Sequence, residues 1–132
     1  MGDALILETT FLVDLEREAA ASAPGPAHGL LEQRPRHQLY ITATVAGELA
    51  AGTSMDDRGR WERFIAPFHV LALGRDVCWE YGRAYRYLRA NGILIGSNDL
   101  WIAAAGIAHG MPVVSRNARH FARVPRLEVI GY

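Results

Sequence analysis

The chain has 132 residues, of which 50% are hydrophobic and 21% are charged, a balance that favours one globular domain and excludes a disordered or fibrous protein. Fourteen arginines balance fourteen acidic residues, but the charges are unevenly distributed: residues 1–80 carry a net charge of −5 and residues 81–126 a net charge of +6. The neutral total therefore conceals a basic segment of the kind that binds phosphate groups. No apolar run reaches the roughly 18 residues of a membrane span, and neither a secretory signal nor a disulfide partner for Cys78 is found, which favours a cytoplasmic protein.

Apolar spacing in the first half of the chain predicts strands that alternate with helices. Residues 4–7 form a short apolar run, and apolar residues then recur at helical spacing over residues 9–20. Thr42 or Thr44 is placed to cap a helix that Gly52 ends. The predicted elements are a strand over 4–7, a helix over 9–20, a loop over 21–29 with a short helix over 27–33, a strand over 39–42, the helix that ends at Gly52, and a helix over 56–64.

The second half of the chain continues this alternation. Residues 75–90 form the longest segment with helical spacing. Ser97, Asn98 and Asp99 are a cluster of N-cap residues that opens an alanine-rich helix, which Gly110 closes. The predicted elements are a strand over 69–73, a helix over 75–90, a helix over 100–109, and strands over 112–115 and 127–130.

The order of these elements indicates an α/β domain. Short apolar strands separated by helices form a mostly parallel sheet that is covered on both faces. In such sheets, ligands bind outside the carboxyl ends of the strands. Glu8 ends the first predicted strand, and Arg116 and Asn117 follow the fourth. The sequence therefore predicts that two distant segments deliver polar groups to one rim of the sheet.

Three carboxylates lie in apolar surroundings, where an unpaired charge is costly. They are Glu8, Glu48 and Asp99, and none has a basic residue within four positions. Taken singly, each of the three has a structural explanation that is as good as a metal-binding role. Asp99 would cap a helix, Glu48 would face water at a helix boundary, and Glu8 would pair with a distant arginine. Taken together, on segments that converge at one sheet edge, they favour an oxygen-ligand site for Mg²⁺ or Mn²⁺.

Other catalytic signatures are missing from the sequence. The glycines form neither a dinucleotide-binding nor a P-loop pattern, and there is no nucleophile elbow. The chain has no lysine, which excludes a phosphate-receiver domain. We expect Cys78 to lie in the core and the scattered histidines to have structural roles; these histidines are His28, His37, His69, His109 and His120.

Four segments carry a family resemblance. In chain order they are ILETTFLVDLE, TATVAGELAAG, GILIGSNDLWIAAAGIAHGMPVVSRNARHF and RVPRLEVIGY. The most specific piece begins at Asn98 and Asp99 and continues to Phe121. Together these segments resemble the PIN-domain ribonucleases, and most of all the VapC toxins of toxin-antitoxin pairs. The resemblance implies one PIN-like three-layer domain over residues 1–132, with four to five short strands in its central sheet.

The resemblance also implies a set of metal ligands. By position, the acidic ligands of the family fall on Glu8, Glu48 and Asp99, and its fourth ligand position falls on Asn117. Two residues depart from the family pattern: Glu8 replaces a shorter Asp, and Asn117 is neutral where some members have Asp. Three negative charges favour one tightly held Mg²⁺ or Mn²⁺, with any second ion arriving on the substrate phosphate.

The activity implied by the resemblance is metal-dependent hydrolysis of RNA, with transfer RNA as the favoured substrate class. The three acidic residues are then catalytic, while Thr9 and Ser115 align them through hydrogen bonds. Arg116 and Arg119 are placed to bind RNA phosphates. The implied protein partners are a cognate VapB-like antitoxin and a second copy of the chain. The departures at Glu8 and Asn117 leave a second interpretation open, a PIN-fold module that binds RNA or antitoxin without cleaving RNA.

Overall fold

Five short strands form one sheet in the computed structural model, which describes residues 3–132. Neighbouring strands are all parallel, so the predicted α/β class is confirmed. No helix in this described part is long and apolar enough to cross a membrane. The elements are β1 (Ala4–Leu7), α1 (Thr9–Ala20), α2 (Pro26–Glu32), β2 (Gln38–Thr42), α3 (Ala43–Ala51), a 3-10 turn (Thr53–Met55), α4 (Arg58–Ile65), β3 (His69–Leu71), α5 (Arg75–Ala90), α6 (Ser97–His109), β4 (Val113–Val114), α7 (Ala118–Phe121) and β5 (Val129–Ile130).

The strand order is β3-β2-β1-β4-β5. The chain moves outward from β1 to β2 and β3, and then returns to place β4 on the other side of β1. Because such crossovers are right-handed, α1 to α4 cover one face of the sheet and α5 to α7 cover the other. The direction of the connections therefore reverses between β1 and β4, which pair in parallel with Leu7 opposite Val114.

The core lies on both sides of the central strand. Leu5, Ile6 and Leu7 of β1 are buried, because one face of β1 meets the first helices and the other meets the later ones. The alanine-rich α6 packs closely on the sheet at Gly106. A methyl group added there would lie 2.7 Å from Cδ1 of Leu127 and 3.0 Å from Cγ2 of Val113. An alanine at this position would require Leu127, Val113 or α6 itself to shift.

Most helix limits agree with the sequence prediction. β1 has the predicted bounds, β2 begins one residue earlier than predicted, and the last three strands are shorter than predicted. α1 and α5 have the predicted bounds, and Thr42 caps α3 by accepting a hydrogen bond from the Val45 amide at 3.1 Å. β3 ends at Leu71 because its partner β2 ends at Thr42, the residue that pairs with Leu71. β4 and β5 keep only two residues each. The 3-10 turn and α7 were not predicted, since segments of three and four residues carry no periodic pattern.

The start of α6 corrects one prediction about Asp99. The helix begins at Ser97 rather than at Leu100, and its N-cap is Gly96. Asp99 is therefore the third residue of the helix and does not cap it.

The prediction that Cys78 lies in the core is wrong. Cys78 is exposed, and the Trp79 beside it is 60% exposed. The buried side of α5 is formed instead by Val77, Ala84 and Leu88, which recur at helical spacing.

Candidate active site

The carboxyl ends of β1 and β4 form the centre of the candidate site. Glu8 directly follows β1, and its amide donates to the Val114 carbonyl at 3.0 Å. Ser115 directly follows β4, so both residues emerge at the same rim of the sheet. Sheets of this kind bind ligands where the direction of their connections reverses, because the loops there separate and leave a crevice. The topology therefore puts the predicted polar groups in the place where a ligand fits.

Glu8 is held by two hydroxyl groups. Its side chain is buried, and its Oε1 accepts a hydrogen bond of 2.6 Å from Thr10 and another of 2.6 Å from Ser115. These bonds offset the desolvation of the carboxylate, so the alternative of a distant arginine partner is wrong. Both donors bind the same oxygen, and Oε2 makes no hydrogen bond to the described residues. Thr10 was not singled out by the sequence, although it stands two positions from Glu8.

Glu48 links the start of α1 to the start of α6. Its Oε1 accepts a hydrogen bond of 2.6 Å from Thr9, and its Oε2 accepts one of 3.3 Å from the Asn98 side chain. Glu48 is half-buried on α3, so it does not simply face water as the alternative interpretation held. Thr9 adjoins Glu8 and Asn98 adjoins Asp99 in the chain. The contacts of Glu48 therefore bring all three acidic segments together.

Asp99 faces an open cleft of about 510 Å³ at the same rim. Its Oδ2 lies 3.0 Å from Nε2 of His120, whose side chain is 32% exposed. The cleft is lined by Asp99, Arg116, Asn117, Arg119 and His120. Nothing in the sequence singles out His120, because it stands 21 positions after Asp99 and only the folding of α7 against the rim brings the two together.

The two predicted phosphate-binding arginines differ in their contacts. Arg119 is exposed on α7 and makes no ion pair with any described residue. Arg116 donates from Nη1 to Oδ1 of Asp14 at 2.7 Å, and its amide donates to Oγ1 of Thr10 at 3.0 Å. Arg116 is therefore fixed at both its backbone and its side chain, and the Thr10 hydroxyl connects it to Glu8.

Asp14 is a buried carboxylate that the sequence analysis did not single out. Its Oδ1 also accepts a hydrogen bond of 2.8 Å from Arg17, and its Oδ2 accepts one of 2.5 Å from the Tyr132 hydroxyl. Burial, followed by the contact with Asp14, raises the pKa of Tyr132 well above its usual value. The hydroxyl therefore stays protonated and donates. The Tyr132 ring packs edge-on against Phe11 at 5.0 Å between ring centres.

The donor set has the right chemistry for a hard divalent cation, because three carboxylates and the Asn117 amide supply only oxygen ligands at this rim. Within residues 3–132, however, no three His, Cys, Asp or Glu side chains are grouped closely enough to share an ion. Glu48 and Asp99 are engaged by neighbouring donors instead. The residues therefore fit a metal by type and by location, and the assignment of Glu8, Glu48, Asp99 and Asn117 as ligands stays a prediction.

Comparison with known proteins decides the family. Residues 5–127 match the sequence profile of the PIN domain. The chain belongs to the PIN domain family. Ribonuclease VapC1 of Rickettsia felis is 29% identical to this PIN domain over 96% of the chain and 94% of its own length.

Solved structures share the fold of this PIN domain. VapBC2 from Rickettsia felis, bound to a DNA fragment from its promoter, superimposes with a TM-score of 0.81 and 23% identity over 98% of both chains. A toxin-antitoxin complex from Klebsiella pneumoniae superimposes with a TM-score of 0.73 and 20% identity over 96% of this chain and 95% of that one. The predicted PIN-like sheet with flanking helices is therefore confirmed.

Proposed function

We propose that this PIN domain is a metal-dependent endoribonuclease of the VapC type that hydrolyses RNA phosphodiester bonds. The observation that carries the proposal is the convergence of the segments that hold Glu8, Glu48 and Asp99 at the reversal point of the sheet, beside a cleft lined by arginines. Carboxylates in such a place suit a hard cation, and guanidinium groups suit phosphate. A relative named Ribonuclease VapC1, aligned over nearly the whole chain, supports RNA as the substrate, with transfer RNA as the class to test first.

Four side chains are proposed to hold one Mg²⁺ or Mn²⁺: Glu8, Glu48, Asp99 and Asn117. When bound, such an ion lowers the pKa of a water ligand and offsets the charge that grows on the phosphoryl oxygens. Glu8 is prepared for this role, because two hydroxyl donors fix its Oε1 while Oε2 stays available. A glutamate is one methylene longer than the Asp of the family pattern, so its carboxylate lies further from the backbone.

The neighbouring side chains orient the three acidic residues. Ser115 holds Glu8, Thr9 holds Glu48, and His120 holds one oxygen of Asp99. Such outer hydrogen bonds fix the direction of a ligand and favour its ionised form. A carboxylate oriented in this way can also accept the proton of the attacking water. Arg116 and Arg119 then bind phosphates of the RNA strand along the cleft.

The proposed protein partners are a VapB-like antitoxin and a second copy of the chain. The antitoxin follows from the structural relatives, which include complexes named VapBC and a toxin-antitoxin complex. By blocking the open cleft, an antitoxin would keep the ribonuclease inactive in the cell.

A second candidate function is favoured by one observation, the absence of a ready group of three metal ligands among residues 3–132. In that case the protein is a PIN-fold module that binds RNA or an antitoxin without cleaving RNA. In this interpretation, the departures from the family pattern at Glu8 and Asn117 have removed RNA cleavage and kept the surface that binds RNA or antitoxin.

Cleavage of total cellular RNA by the purified, antitoxin-free protein tests the proposal. The reaction is run with Mn²⁺, with Mg²⁺ and with EDTA, for the wild type and for Asp99→Asn. We expect discrete products that require metal and a rate at least about 100-fold lower in the variant, because an amide is a neutral and weaker ligand. Asp56→Asn removes an exposed carboxylate outside the cleft and serves as the matched control, which should keep wild-type activity.

The alternative predicts a different result from the same samples. Equal product from wild type and Asp99→Asn would identify a contaminating nuclease and refute the enzyme. RNA binding that survives EDTA, without cleavage above background in folded protein, would support the binding module. Circular dichroism of each variant establishes that the protein is folded.

A further inference from the structure

Asp14 lies behind the cleft rather than in it. Its side chain is only 10% exposed, on α1, and it accepts hydrogen bonds from three groups that belong to three different parts of the chain. These donors are Arg17 on α1, Arg116 after β4 and Tyr132 beyond β5. Of the three, Arg116 lines the cleft beside Asp99.

The charges around Asp14 leave the group positive. One carboxylate is shared by two guanidinium groups, so the net charge of the three side chains is +1. Asp14 accepts its hydrogen bond from Nη1 of Arg116, and the Arg116 side chain is still 49% exposed. A guanidinium has five N–H donors, so Arg116 can bind Asp14 on one side and a phosphate on the other.

The backbone contacts fix the other end of the same residue. The Arg116 amide donates to Oγ1 of Thr10 at 3.0 Å, and that hydroxyl donates to Oε1 of Glu8 at 2.6 Å. The position of the guanidinium is thereby coupled to the position of a proposed metal ligand. A long side chain that is already held in place loses less conformational entropy when it binds a phosphate.

We propose that Asp14 is a positioning residue, which holds the Arg116 guanidinium at the mouth of the cleft so that it binds an RNA phosphate at a fixed distance from Glu8. Tyr132 supports this role by donating to the second oxygen of Asp14. The inference rests on the proposed RNA-binding function of the cleft. It predicts that removing the negative charge of Asp14 weakens RNA binding, although the protein becomes more positive.

The direction of this effect separates the proposal from a simple electrostatic role. If Asp14 only neutralised Arg116, then Asp14→Asn would free the guanidinium and strengthen binding. If Asp14 positions Arg116, the same change releases the side chain and weakens binding. Arg17 provides the matched control, since it also binds Asp14 but is not among the side chains that line the cleft.

The experiment measures binding of the full-length protein to a short, fluorescently labelled single-stranded RNA in EDTA, where metal-dependent cleavage is blocked. We expect Arg116→Ala and Asp14→Asn each to raise the Kd about tenfold, the loss of one charged hydrogen bond. Tyr132→Phe should raise it about twofold to threefold, and Arg17→Ala by less than about twofold. Asp14→Asn should add nothing further in the Arg116→Ala background, because Asp14 acts through Arg116.

Salt dependence supplies a readout that a purely structural role would not change. Between about 50 and 200 mM KCl, the slope of log Kd against log salt should fall by about 0.7 in Arg116→Ala and in Asp14→Asn, the value for one phosphate contact on a single strand. Tighter binding in Asp14→Asn, or an undiminished effect in the Arg116→Ala background, would overturn the inference. If Asp14→Asn does not fold, Tyr132→Phe tests the same point, and an unchanged Kd and slope there overturn it. A wild type that binds no RNA would refute the proposed function instead.

Discussion

Glu18, on α1, holds the start of α2 in place through its carboxylate. Its carboxylate accepts hydrogen bonds from the backbone amides of Gly25, Ala27 and His28 at 2.8 to 3.0 Å, and from Nδ1 of His28 at 2.7 Å. It therefore satisfies the free N–H groups at the start of α2 from a residue on α1. Burial raises the pKa of Glu18, but the hydrogen bonds from His28, Ala27 and Gly25 outweigh it and lower the pKa from 4.5 to about 2.

This shift predicts a pH-dependent contribution to stability. The pKa of Glu18 is lower in the folded than in the unfolded protein, so its ionised carboxylate stabilises the fold. This stabilisation is complete above pH 4.5 and is lost as the pH falls towards about 2. We expect Glu18→Gln to unfold at a lower temperature than the wild type at neutral pH, and the gap to narrow as the pH falls below 4.5. Thermal unfolding followed by circular dichroism measures the gap.

Glu32 gives the control for this prediction. It is an exposed residue at the end of α2 that makes no hydrogen bond to the described residues, so Glu32→Gln should leave the unfolding temperature nearly unchanged at every pH. A Glu18→Gln gap that stays constant between neutral pH and about pH 3 would contradict the charge-based role of Glu18.

At the scale of elements, the contact of α6 with β4 and its flanking chain depends on Gly106. The space that a side chain would need is occupied by Leu127 and Val113, at 2.7 and 3.0 Å from an added Cβ. In α3, by contrast, an added Cβ at Gly47 meets nothing within 4 Å. The two glycines are both inside helices, and they differ in what surrounds them.

Alanine substitutions should therefore have opposite effects at these two positions. Gly106→Ala is expected to lower the free energy of unfolding by about 1 to 3 kcal/mol, because Leu127 and Val113, or α6 itself, must shift to admit the methyl group. Gly47→Ala is expected to raise it by about 0.5 to 1 kcal/mol, since alanine favours the helix and costs no contact. Urea unfolding of both variants measures the difference. A Gly106→Ala protein as stable as Gly47→Ala would contradict the expected cost of the close contacts at Gly106.

At the scale of the whole molecule, several large apolar side chains are exposed on one stretch of the chain. They are Val70, Leu73, Trp79, Tyr87 and Leu94, which lie on β3, on α5 and in the adjoining loops. Apolar groups that are exposed side by side are typical of surfaces that contact another protein. Val70 lies on the edge strand β3, which pairs with β2 alone.

We expect the proposed second copy of the chain to bind through β3 and the exposed side of α5. Light scattering of the purified protein should then give a molar mass near twice 14.6 kDa, and Trp79→Ser should shift it towards 14.6 kDa. Val13→Ser, at an exposed apolar position on α1, should leave the mass unchanged. A wild type that stays at 14.6 kDa across the micromolar range would refute the homodimer.

Patterns that are local in the chain predicted much of this protein. The bounds of α1 and α5 follow from apolar spacing, and Thr42 follows from its place before a helix, because both signals lie within a few residues. The family resemblance placed Glu8, Glu48 and Asp99 on the segments that do converge. The strands were harder to delimit, because a strand ends where its neighbour ends, and the neighbour is distant in sequence.

The sequence by itself determined the α/β class, most of the helices, and the burial of Glu8 at the end of β1, whereas the likewise buried Asp14 was found only in the structure. The tertiary structure alone decided their partners: Ser115 reaches Glu8 across 107 positions, and Arg116 reaches Asp14 across 102. His120 meets Asp99 for the same reason, although its own surroundings in the chain carry no signal. A hydrogen bond acts over about 3 Å, so its partners are chosen by how the strands and helices pack and leave no trace in local spacing.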